Sequence, residues 1–164
     1  MLKFAAASSL ALFAAACSSN STTGPDVVAT GPDTSTEGSR IVAGSQEDLE
    51  QSAGHRIFYG YDQYSLSSQA QATLSRQASW LKANPSVSIL IAGNCDERGT
   101  REYNLALGAR RAQSARSFLI SNGVDGSRIR TVSYGKERPL DPRSTGDAWA
   151  LNRNATTTVV SSGV

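Results

Sequence analysis

Residues 87–123 read VSILIAGNCDERGTREYNLALGARRAQSARSFLISNG, and the change of period within them decides the fold. At the start, Val87, Ile89 and Ile91 alternate with Ser88, Leu90 and Ala92, which is the pattern of a strand with one well-buried face. From Thr100 onward the period becomes helical. Leu105, Gly108, Ala112, Ala115 and Leu119 recur every three or four residues, so 100–122 is expected to be a helix. Thr100 is available as its N-cap and Gly123 as its left-handed stop. The small residues in this stripe would let the helix lie close to a sheet.

The flanking sequence repeats the theme. Upstream, Ala70, Leu74, Ala78 and Leu81 make one apolar stripe across 67–84, and Pro85 ends that helix by disfavouring helical backbone at the residue before it. Ahead of it, Ile57, Phe58, Tyr59 and Tyr61 form a β-favouring run closed by Gly60 and Asp62. A short helix is expected from Ser45, whose hydroxyl can cap it, with Asp48 three residues on. Downstream, 129–134 reads as a third strand, 147–153 as a helical turn around Trp149, and 155–160 as a Thr- and Val-rich final strand. Two β–helix–β units and a last strand predict an α/β (α+β) sandwich over 45–164, with helices packed on one face of a small mixed sheet.

The first 44 residues have another character. Residues 1–16, MLKFAAASSLALFAAA, place Lys3 before a short Ala- and Leu-rich run, as in a signal peptide. Ala14, Ala15 and Ala16 lead directly into Cys17, which resembles a bacterial lipoprotein signal whose cysteine becomes the first, lipidated residue of the mature chain. An ordinary secretory signal with an incidental cysteine is the other reading. Ser, Thr, Gly, Pro and Asp dominate the segment to Gly44, so 17–44 is expected to be the lipidated cysteine and a flexible tether. No apolar run reaches the roughly 20 residues of a spanning helix.

Composition removes several classes of function. Sixteen Lys and Arg against 14 Asp and Glu leave a charge of only +2, without the basic field that nucleic acid demands. The single histidine, His55, excludes a multi-histidine metal cage and offers no Ser–His–Asp set. Asp96 and Glu97 are adjacent in sequence, not two carboxylates facing each other across a cleft, which argues against a glycosidase. A catalyst, a metal site and a cofactor are therefore not expected.

The densest polar segment is Gly93 to Asn104, between the strand and the long helix, where helix N–H groups can receive an anion. Asn104, Leu107 and Arg111 share a helix face distinct from the apolar stripe, so Arg111 points back toward the loop carrying Asp96 and Arg98. One carboxylate, two guanidiniums and helix N–H donors suit a zwitterion, its ammonium on Asp96 and its carboxylate on Arg111. The same spacing also fits an Asp–Arg bridge that merely ties loop to helix. Strand alternation places Cys95 on the helix-facing side, where it is expected to be a buried, inert thiol. A reactive thiol beside Arg98 and a helix N-terminus is the rival.

Three segments carry a resemblance: YGYDQYSLSSQAQATLSRQASWLK at 59–82, DERGTREYNLALGARRAQSARSFLISNGV at 96–124 and SRIRTVSYGKERP at 127–139. Together they are very similar to the OmpA-like C-terminal domain family, and within it to the lipoproteins that work with the Tol system. The resemblance spans roughly 57–155 and is ungapped in its motifs. It implies an outer-membrane lipoprotein that binds the diaminopimelate centre of peptidoglycan stem peptides and meets the Tol periplasmic propeller protein. Carried over by position, Asp96 and Arg111 are the central pair, and Tyr61, Asp62, Arg98, Asn104 and Leu107 line the pocket. Tyr61 stands where the family usually has Phe. The family's Gly-His-Ala-Asp reads Gly93-Asn94-Cys95-Asp96 here, and its Asn-Arg-Arg-Ala reads Asn152-Arg153-Asn154-Ala155.

Overall fold

A computed structural model describes residues 41–160. The signal peptide, Cys17 and all but the last residues of the expected tether lie outside the described residues. Four α-helices are each opened by a hydroxyl. Ser45 caps α1 (Gln46–Ser52), Ser67 caps α2 (Ser68–Ala83), Thr100 caps α3 (Arg101–Ser121) and Thr145 caps α4 (Gly146–Asn152). In each case the side-chain oxygen accepts the backbone N–H three residues later, satisfying a donor that the first turn leaves without a partner. The long helix stops as expected: Gly123 takes φ +87° and Val124 N–H returns to the Leu119 carbonyl.

Four strands complete the fold: β1 (Arg56–Phe58), β2 (Ser88–Asn94), β3 (Ile129–Gly135) and β4 (Asn154–Val160). Their order across the sheet is β1-β4-β2-β3. The β2–β3 pair is parallel and needs a crossover, which α3 supplies; β4 runs antiparallel to both β2 and β1. The sheet is therefore mixed, as expected. Helix α3 lies along β2 and β3, and α2 packs on β1 and α3. Between them sit Leu74, Leu81, Ile89, Ile91, Ala112, Ala115 and Leu119, each at most 1 % exposed. At roughly 1.5–3 kcal/mol per fully buried large aliphatic side chain, this layer is the main source of stability.

The stripe of small residues does what its spacing implied. A Cβ on Gly93 would fall 1.9 Å from the Gly108 carbonyl oxygen, so strand and helix meet backbone to backbone at this point. Two details differ from the sequence expectation. Strand β1 ends at Phe58 instead of running to Tyr61. Tyr59 is still buried, its hydroxyl donating to the Arg111 carbonyl at 2.8 Å, but the chain turns just beyond it, where Gln63 N–H returns to the Gly60 carbonyl and Asp62 takes a positive φ. Gln77, inside the α2 stripe, is wholly buried, donating to the Gly54 carbonyl and accepting from the Thr157 hydroxyl. The apolar period gave no sign of it. A single turn of 3₁₀ helix, Gly126–Arg128, precedes β3.

Candidate functional site

Where β2 ends and α3 begins, the register of the β2–β3 ladder shifts at Gly93/Asn94, and the chain leaves the sheet as the loop 95–100. Opposite lies the loop 59–66 that follows β1. Between the two is a cleft of about 180 Å³. All seven residues expected at the site line it: Tyr61, Asp62, Asp96, Arg98, Asn104, Leu107 and Arg111. Sites that engulf drug-sized ligands run to roughly 300–1,000 Å³, so this one admits the end of a ligand, not the whole.

Asp96 is 4 % exposed, and its carboxylate is fully engaged. One oxygen accepts from the Arg98 N–H and Nε, each at 3.2 Å; the other accepts from Arg98 Nη2 at 2.7 Å and Arg153 Nη1 at 3.3 Å. Burial by itself would raise its pKa. The hydrogen bonds from the Arg98 side chain and backbone and from Arg153 outweigh that, and hold the carboxyl below the usual aspartate value. Arg98 is in turn stacked between two rings, its guanidinium carbon 4.3 Å from the Tyr61 centroid and 4.1 Å from the Trp149 centroid. The Trp149 indole N–H donates to Glu97 at 3.0 Å, so α4 braces this loop from behind.

Arg111 occupies the floor and has no exposed surface. It donates to the carbonyls of Gln63, Asn94 and Gly60 at 2.8, 2.8 and 3.1 Å, and to Cys95 Sγ at 3.4 Å. Its bonds thus join the two walls of the cleft. Nη2 makes only one of these bonds, so one of its two N–H groups has no partner among the described residues. Burial lowers its pKa, as expected for a cation without a direct carboxylate partner. The Asp–Arg bridge considered from the spacing is not what forms, since Asp96 pairs with Arg98 and Arg153 and not with Arg111.

The remaining residues shape the walls. Asn104 donates to the carbonyls of Arg98 and Thr100, closing the loop onto the first turn of α3. Asp62 is the one non-glycine residue with positive φ among those described, at +53°, and its carboxylate accepts the Tyr103 hydroxyl. Cys95 is 3 % exposed, its Sγ donates to the Asn104 carbonyl, and burial pushes the thiol pKa up. Asn94 and Asn154, the two outer departures from the family pattern, are hydrogen-bonded to each other at 2.9 Å. Sequence reading did not include Tyr103, Trp149 and Arg153 among the site residues. Tyr103 sits one residue from Asn104, but nothing in the local sequence placed Trp149 or Arg153 beside Asp96, more than 50 residues away.

A sequence profile of the OmpA family matches residues 58–153, which bracket both walls of the cleft. The chain belongs to the OmpA family. Among relatives of this OmpA-family chain, the peptidoglycan-associated lipoprotein of Rhizobium meliloti is 52 % identical over 120 residues, covering 73 % of this chain and 68 % of that protein. The peptidoglycan-associated lipoprotein of Haemophilus influenzae is 40 % identical over 111 residues, 68 % of this chain and 72 % of that one. The crystal structure of the peptidoglycan-associated lipoprotein from Burkholderia pseudomallei superposes with a TM-score of 0.63 at 42 % identity, over 65 % of this chain and 90 % of that one. The C-terminal domain of Helicobacter pylori MotB shares the fold, with a TM-score of 0.60 at 19 % identity over 64 % of this chain and 83 % of that one.

Proposed function

We propose that this chain is an outer-membrane lipoprotein that binds peptidoglycan non-covalently through the free diaminopimelate centre of its stem peptides. It would anchor the outer membrane to the wall as part of the Tol–Pal system, with Cys17 carrying the lipid and the Tol propeller protein as partner. The observation that carries this reading is the pairing, in one small cleft, of a buried carboxylate with guanidiniums on either side of it. An ammonium and a carboxylate on one carbon match that arrangement: the ammonium goes to Asp96 and the carboxylate to the remaining N–H of Arg111. The names of the relatives support the same polymer as ligand. Binding, not hydrolysis, is the role proposed, because the buried carboxylate of Asp96 is taken up by Arg98 and Arg153 and Arg111 by backbone carbonyls, which leaves neither to activate water.

Pelleting with intact sacculi tests it. The protein is expected to sediment with the sacculi, to release no soluble muropeptides, and to be competed off by meso-diaminopimelate. Asp96→Ala should weaken the association by at least about tenfold, the loss of one charge-assisted hydrogen-bond partner. Release of muropeptides, or sedimentation unchanged by Asp96→Ala, would sink the reading.

A further inference from the structure

Asp96 has two cationic partners, and they are anchored differently. Arg98 lies two residues along the same loop, so their pair fixes the shape of the loop without fixing its place in the fold. Arg153 is set at the junction of α4 and β4. Its carbonyl accepts the Tyr59 N–H at 2.9 Å, extending the pairing of β1 with β4, and its Nε donates back to the Tyr59 carbonyl at 3.1 Å. From that fixed base Nη1 reaches Asp96 at 3.3 Å. Only 16 % of the Arg153 side chain is exposed, against 35 % for Arg98. A cation arriving at Asp96 has to share a carboxylate whose acceptor positions are all occupied. Arg98, half-buried between two rings and carried on the loop, is the less buried partner and the one able to give way. Arg153 is the partner that stays.

We propose that Arg153 is a positioning residue for ligand binding: it references Asp96 to the sheet, so that the carboxylate keeps its orientation when a ligand ammonium takes the place of Arg98. The proposal rests on the reading of the cleft as the diaminopimelate site and adds to it a residue outside the polar motif. It also distinguishes the two bonds of one guanidinium. The bond to Tyr59 holds the opposite wall, and the bond to Asp96 orients the binding group. A lysine at 153 supplies one point charge for Asp96 but cannot span to Tyr59 at the same time, so it separates the two roles.

The test uses the purified full chain and a diaminopimelate-containing tripeptide muropeptide, with calorimetry for affinity and carboxyl ¹³C NMR for the titration of Asp96. Arg153→Met is expected to lower affinity about tenfold and to move the Asp96 titration upward, toward the ordinary aspartate value. Arg153→Lys is expected to recover affinity to within about threefold of the parent and to move the titration back. An Asp96 titration unmoved by Arg153→Met, or a loss of affinity that lysine does not recover, overturns the proposal and leaves Arg153 as a strap on Tyr59. Should Arg153→Met fail to fold, Arg153→Gln is read by the same two measurements. A parent chain that does not bind the muropeptide overturns the function proposed above, whereas a parent that binds no better than Arg153→Met overturns this inference alone.

Discussion

Deep in the cleft Cys95, Asn104 and Arg111 are buried, and each is hydrogen-bonded within the protein, while at the rim Tyr61, Asp62 and Tyr103 stand exposed. The polar groups of the floor have exchanged water for carbonyls and amides at fixed positions, so their removal leaves partners without bonds in a place water does not reach. The rim is the reverse: its groups keep solvent as an alternative partner, and a change there is felt mainly by whatever binds. Residues of one cleft thus belong to two energetic classes. The floor is core that happens to face a ligand, and the rim is surface held in shape by a few contacts.

Arg111→Ala should make the largest difference. It takes a donor from three carbonyls on both walls and leaves a cavity, at a cost of about 3 kcal/mol or more. The expected result is a melting temperature lower by roughly 10 °C or more, together with lost sacculus binding. Loss of binding at an unchanged melting temperature would move Arg111 from the floor to the rim. Second in size is the protection of Cys95. Its labelling by a thiol reagent should be at least about a hundredfold slower in the native protein than in denaturant, because the sulfur reacts only when the cleft opens. Rapid labelling of the folded chain would show that the floor is loose. The smallest effect belongs to Tyr61→Phe. The hydroxyl of Tyr61 has no hydrogen-bond partner among the described residues, and the ring that stacks on Arg98 is retained. Affinity and stability should each change by less than about twofold in their equilibrium constants; a larger loss would mean that the rim hydroxyl itself meets the ligand.

Much of this architecture was legible because it is local. The N-caps at Ser45 and Thr100, the stop at Gly123 and the stripe of small residues in α3 are set by spacings of three to four residues, and the helices form where those spacings put them. Seven wall residues were named from motif and resemblance, and all seven line one cleft. What was not legible is the pairing between distant segments. Asn94 and Asn154 looked like two separate departures from a family pattern, yet they are 60 positions apart in sequence and in direct contact in space. Arg153 matched a family pattern that names no partner for it, and it reaches Asp96 across 57 positions. Spacing cannot report such contacts, because they depend on the strand order that brings β4 between β1 and β2.

The close approach of Gly93 to Gly108 has a kinetic side. With strand backbone resting on helix backbone there is no side chain to yield, so β2 and α3, with the Asp96 loop strung between them, behave as one stiff half of a clamp. The other half, the segment around Tyr59 to Leu66, is pinned in the core at its two ends by Tyr59 and Leu66. Between them it is held by hydrogen bonds from Arg111 and by the stacking of Tyr61 on Arg98, so hinge motion that admits a ligand falls there. Association rates will therefore be tuned by the length and composition of that segment, and residence times by the arginines that hold it shut.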